Sequence, residues 1–194
     1  MKISSNSDFR SAAGRQDRGG IGKVKCFMKN VYRINRRLKP GRYRLTDVFP
    51  DIRTYDILSV IFAGEKEISD VLANIRVIVV DEQSEMFVSN DDGAITIGLA
   101  HLDASSDEVL YLDIVHELCH VKQHFQGRDL YDRSMSYVDR ETEIEAYRIT
   151  VREARRIGLG DDAIFDYLRV PWITPEEHER LARRLDVGTG VKKG

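Results

Sequence analysis

The fourteen residues from Tyr111 to His124, Tyr-Leu-Asp-Ile-Val-His-Glu-Leu-Cys-His-Val-Lys-Gln-His, restrict what this chain can fold into more than any other part of it. Ser105 or Ser106, followed by Asp107 and Glu108, reads as a helix N-cap with acids in the first turn. Gly127 stands where such a helix would stop, so the helix should run to about Phe125. Leu110, Ile114, Leu118, Val121 and Phe125 would form its inward face. On another face, His116 and His120 lie one turn apart and about 40° around the axis. Two imidazoles so related can reach one tetrahedral metal ion, of which zinc is the usual example. Glu117 is turned about 100° from His116, awkward for a ligand but well placed to take a proton from a water beside the ion. This is the HExxH arrangement, two ligands and a general base within five residues. His124 would sit about 12 Å beyond His116 and reads as a solvent-side histidine.

A catalytic zinc usually takes three protein ligands and keeps one position open. A third histidine six residues after His120 is ruled out, because Gln126 stands there. Acids remain in the next helical stretch, predicted from about Asp139 to Ile157 and stopped by Gly158: Glu141, Glu143 and Glu145. With Glu141 taken as 0°, Glu145, Arg148, Arg152, Arg155 and Arg156 fall within about 60° of it. Glu143 falls near 200°, among Tyr147, Thr150, Val151, Ala154 and Ile157. It therefore reads as the one acid turned towards the core, where a carboxylate without a cation is very costly. Glu141 and Glu145 have arginines of their own helix as ready partners. Glu143 is thus the expected third ligand.

The rest of the chain reads as a small α+β domain. "YDILSVIFAGEKEISDVLANI" is helical with a break near Gly64, and Arg76–Glu82 is a β-branched strand. Met86–Ser89 and Ala94–Leu99 form a hairpin around Asn90–Gly93. Asp161 or Asp162 caps a short helix, and Thr174-Pro175-Glu176-Glu177 opens a last one as a capping box. Residues 1–22 read as a disordered tail, 23–45 as a basic helical and turn arm, 46–187 as the domain and 188–194 as a flexible end. Within the arm, Lys23–Leu38 is the expected helix and Lys39–Arg42 the turn. Cys119 should pack beside its helix. Trp172 should pack the last helix onto the domain, with covering of a cleft as the alternative.

His116-Glu117-Leu118-Cys119-His120, followed by Glu143-Ile144-Glu145-Ala146 on the next long helix, resembles the gluzincin metallopeptidases. The likeness is greatest to the compact minigluzincins and the ImmA/IrrE-type peptidases, and it covers roughly Asp70 to Gly158. The resemblance implies a zincin-like domain with a short mixed sheet and one Zn²⁺ per chain, held by His116, His120 and Glu143. It implies Glu117 as the catalytic base and a peptide or protein as substrate. It further implies that Ala94–Leu99 is the strand at the cleft rim, with Ile97 and Gly98 against the substrate. Several of these families place Asp or Asn after the alanine to orient a zinc-binding histidine. Here Tyr147 stands there, and its hydroxyl is the expected partner of a ligand. His101, Tyr131, Tyr137 and Tyr147 are all candidates for stabilising an oxyanion.

Charge adds a second hypothesis. Residues 1–45 hold 13 Lys/Arg and two acids, and the remainder 17 Lys/Arg and 30 acids, so the net charge of −2 hides a basic arm on an acidic body. Folding back onto that body, or a solvated tail, is favoured over nucleic-acid binding. The rival to a peptidase is a non-catalytic, zinc-stabilised regulatory or nucleic-acid-binding module that uses the arm. An intact Glu117 argues against it, since a structural site needs no base. The opening residues lack an apolar leader core, no window reaches membrane-span length, and the two cysteines, Cys26 and Cys119, are far apart. The expectation is a reducing cytoplasm and no membrane association.

Overall fold

The computed structural model describes residues 32–82 and 85–188. The expected disordered tail, most of the expected basic helix and, apart from Gly188, the expected flexible end lie outside these residues. Among the described residues there are four strands and eight α-helices, an α+β fold with a small mixed sheet. The strands are β1 (Gly41–Arg44), β2 (Arg76–Val80), β3 (Met86–Val88) and β4 (Ile95–Gly98). The helices are α1 (Leu45–Val48), α2 (Leu58–Ile61), α3 (Glu65–Asn74), α4 (Leu99–Ala104), α5 (Asp107–Phe125), α6 (Glu141–Arg156), α7 (Asp161–Tyr167) and α8 (Pro175–Arg184). No helix among the described residues is long and apolar enough to cross a membrane.

The spatial strand order is β1-β2-β4-β3. β2 pairs with β1 antiparallel and with β4 in parallel, while β3 and β4 form the expected antiparallel hairpin. Alternation sets the register: Val77 and Val79 of β2 point inward, as do Met86 and Val88 of β3, leaving Phe87 exposed. The hairpin turn favours Gly93, whose φ of +69° lies in the left-handed region where a Cβ is strained. A Cβ there would also come within 2.6 Å of the His124 ring. His124 is therefore half-buried against the turn rather than free in solvent.

Local signals place the helices well. Ser106 Oγ accepts the Val109 N–H at 3.2 Å, and Thr174 and Glu177 make the full capping box of α8. Gly64, at φ +130°, separates α2 from α3. Two expectations fail near the start. Residues 32–39 are not helical, and Gly41–Arg42, the second half of the turn expected over Lys39–Arg42, begins the sheet strand Gly41–Arg44. Arg36 ties this segment down with donations to the carbonyls of Leu102 and Ser105 and to Asp107. α4 also differs from expectation, because the chain passes from β4 into helix with Gly98 as N-cap and no break residue beyond it.

Candidate metal centre

α5 is enclosed on nearly every side. From Leu110 to Val121 only Asp113 escapes full burial, which no single apolar stripe would achieve. Phe125, expected on the inward face, is 59% exposed because it lies past the end of the packed region. α6 lies across α5, with Ala146 and Ala154 fully buried between elements. Enclosure puts His116, Glu117, His120 and Glu143 all inside the protein.

The four side chains converge as the spacing requires. His116 Nε2 lies 3.0 Å from His120 Nε2 and 3.3 Å from Glu143 Oε2, and the third side of the triangle is 3.4 Å. Ligands at about 2.05 Å in tetrahedral directions lie about 3.3 Å apart, so this triangle fits one such ion. Among the described residues, this is the group of donors close enough to hold a metal. Glu143 Oε2 and Glu117 Oε2 are both buried without a hydrogen bond of ordinary geometry. A cation between the triangle atoms resolves the cost of the first. Burial opposes ionisation of Glu143, but the two imidazoles outweigh it and hold the carboxyl well below its usual range. Burial also works against protonation of His120, yet Glu143 lifts it to about 9, whereas His116 is pushed below its ordinary value by burial. Glu117 is pushed up to about 8, chiefly by burial.

Gln123 orients His120, a role the sequence reading did not assign. Its Nε2 donates to Thr142 O and Glu145 Oε2, both at 3.0 Å, so its Oε1 must face His120 Nδ1, at 2.8 Å. Nδ1 is then the protonated nitrogen and Nε2 keeps its lone pair for the ion. The signal was present, since Gln123 lies three residues beyond His120 on one helix face. Replacing Gln123 with Ala is expected to weaken zinc binding about 10–100-fold. Competition against a chromophoric chelator measures it, and an unchanged affinity would remove Gln123 from the site.

Several expectations need correction. Glu141 and Glu145 are exposed, as read, but their partners are Arg184 and Arg128, on other elements, not arginines of α6. Glu143 is not the one acid facing inward, because Glu153 is 2% exposed. Glu153 differs in having a forked Arg156 at 2.6 Å and the Tyr111 hydroxyl, so it needs no other cation. Tyr147 bonds the Tyr137 hydroxyl at 2.8 Å and not a ligand; its ring instead packs on His116, centroids 4.3 Å apart. Ile97 is fully buried between Val79 and Met86, and Gly98 is a buried helix cap, so β4 offers no edge to a ligand. The outer strand on this side is β3.

Cys119 packs as expected, donating to Val115 O, and its thiol is pushed up to about 12 by burial. Trp172 does not pack α8 down: it is 55% exposed and meets Tyr137 edge-on at 5.6 Å. It overhangs a cleft with two lobes, of about 260 and 420 Å³, which share Met86, His116, Glu117, Tyr137 and Trp172. The smaller lobe holds His101, bonded to Asp113 at 2.8 Å and to Ser105 at 3.1 Å, with Tyr167 donating to the same Asp113. The larger holds Glu143, Leu130, Tyr131 and Arg140, and Tyr131 donates to Val88 O at 2.6 Å. Of the four oxyanion candidates, Tyr137 alone lines both lobes. Comparison with protein-family models, curated proteins and solved structures finds no match, so the reading of this centre rests on its own geometry.

Proposed function

We propose that the chain is a zinc-dependent peptidase of gluzincin type, with a zincin-like domain around the centre described above. The observation that supports it most is the buried His116, His120 and Glu143 triangle, with Glu117 beside it on the floor of an open cleft. A structural zinc is normally enclosed by four protein ligands, whereas three ligands facing a cleft leave a position for chemistry.

Zinc held there would polarise a carbonyl and make a water acidic near neutral pH. The protein's own groups do the rest. Glu117, whose Oε2 has no hydrogen-bond partner, takes the proton of the attacking water and passes it to the leaving amine nitrogen. Burial keeps the Tyr137 hydroxyl protonated, well above the usual phenol range. One of the Tyr137 and Tyr147 hydroxyls donates to the other, and the pair retains a second proton for the oxygen that gains charge. β3, paired with a strand on one side only and lining the cleft with Met86 and Phe87, offers its backbone at Met86 to an extended peptide, the Val88 carbonyl being taken by Tyr131.

The test is a mixed peptide library incubated with the zinc-reconstituted chain and read by mass spectrometry. Cleavage is expected, to stop with a chelator and to return when zinc is restored. A chain carrying about one zinc that leaves every peptide intact would refute the reading.

A further inference from the structure

Arg140 stands at the start of α6, half-buried in the larger lobe. Its Nε donates to Asp132 O at 2.9 Å, and its guanidinium lies 5.9 Å from the Tyr137 ring centroid. Among the described residues no carboxylate forms an ion pair with it; Arg148 and Arg152 of α6 have none either, but they are exposed, whereas Arg140 is half-buried in the lobe. With Nε engaged, both terminal nitrogens remain for another acceptor, and a fork of that shape suits a carboxylate. Away from His116, Glu117, His120 and Glu143, the walls of the lobe are apolar: Met86, Phe87, Leu130, Tyr131 and Trp172. Three of these, Phe87, Tyr131 and Trp172, are large aromatics more than a third exposed, an unusual surface without a ligand.

We infer that Arg140 is a specificity-determining residue that binds a carboxylate of the substrate, beside a large apolar side chain seated among Leu130, Tyr131 and Trp172. The inference rests on the peptidase reading and narrows its substrate class. The same carboxylate chemistry can come from a chain terminus or from an Asp or Glu side chain. Cationic peptides are disfavoured in this lobe, because they would face an immobilised guanidinium in partly dry surroundings.

The experiment uses the full chain, zinc-loaded and carrying Glu117→Gln so that peptides bind without being cut. Two peptide pairs are titrated by calorimetry. One differs only in a C-terminal carboxylate or carboxamide, the other only in Glu or Gln beside a phenylalanine. At least one acidic peptide should bind about tenfold tighter than its neutral twin, and the pair that does so identifies the source. Adding Arg140→Gln should bring that peptide to the affinity of its twin while leaving the twin unchanged, and Arg140→Lys should keep part of the preference. Equal affinities in the starting chain would overturn the inference. So would a preference that survives Arg140→Gln, because the metal itself would then be taking the carboxylate. With Glu117 intact, a uniform loss of hydrolysis in Arg140→Gln, the same for acidic and neutral peptides, would overturn the inference and give Arg140 a catalytic role instead. Failure here stays separate from failure of the peptidase reading. A wild type that cleaves acidic and neutral peptides alike loses only the Arg140 inference. One that binds through Arg140 but cleaves nothing loses only the peptidase.

Discussion

Glu143→Ala is expected to take the protein from about one zinc per chain to a small fraction of that, measured by elemental analysis on preparations purified in parallel. The side chain supplies one corner of the triangle, 3.3 and 3.4 Å from the other two. It also supplies the negative charge that faces the ion from within the protein. Two neutral imidazoles alone would hold zinc much more weakly. The loss should also appear as thermal stability. Wild type gains melting temperature when zinc is added, by mass action on the folded state, and the variant should not. The two other glutamates weighed for this role cannot replace it, since Glu145 is held by Arg128 and Gln123, and Glu141 faces Arg184. Full zinc in Glu143→Ala would therefore mean that the ion sits elsewhere, and the site as built here would be wrong.

The metal-free chain gives a second view of the same residue. There Glu143 is what lifts His120 to about 9 against burial. A raised histidine contributes stability that is present below its unfolded value near 6.5 and is lost as pH rises towards 9. Without Glu143, His120 keeps only Glu117 and the Gln123 hydrogen bond against burial, so its pKa should fall from about 9.

What could be read in the sequence was what local chemistry decides. Ser106, Gly127, Gly64 and the Thr174–Glu177 box each act within a few residues, so helix ends were visible without any tertiary knowledge. The triangle was visible for a similar reason, since each half is set by the 3.6-residue turn of its own helix and burial joins them. What depends on distant pairing was not visible. β4 was expected at the rim, but strand order is set by which strand meets β2, and that placed β4 inside and β3 outside. Lys39–Arg42 looked like a turn because of Pro40-Gly41, yet from Gly41 the chain pairs with β2, more than thirty residues away. Trp172 was expected to pack the last helix down, with covering of a cleft as the alternative; the alternative holds, because the loop before α8 crosses the mouth. Glu153 falls about 120° from Glu141, between the two faces of the helix, and its neutralising partners are Tyr111, on another helix, and Arg156.

Glu117→Gln should lower peptide hydrolysis by about 10²–10⁴-fold and leave the zinc content unchanged. The amide keeps the size and one oxygen of the carboxylate but cannot accept the proton of the attacking water. Glu117 is not a corner of the triangle, so the ion has no reason to leave. Stability should move in the opposite direction to activity. Burial raises the Glu117 carboxyl from the ordinary 4.5 to about 8 in the metal-free fold. A carboxyl raised on folding costs stability as pH climbs between those two values, because the unfolded chain ionises first. The neutral amide escapes that cost. At pH 8 the metal-free variant should melt at or above the metal-free wild type, and the gap should close towards pH 4.5. A group that is costly to bury is what a catalytic base in a partly dry site is expected to be, and a purely structural zinc module has no use for it. Loss of cleavage with metal and fold intact would assign Glu117 the base's role. A variant that cuts as fast as wild type would end the mechanism proposed here, however well the triangle holds its ion.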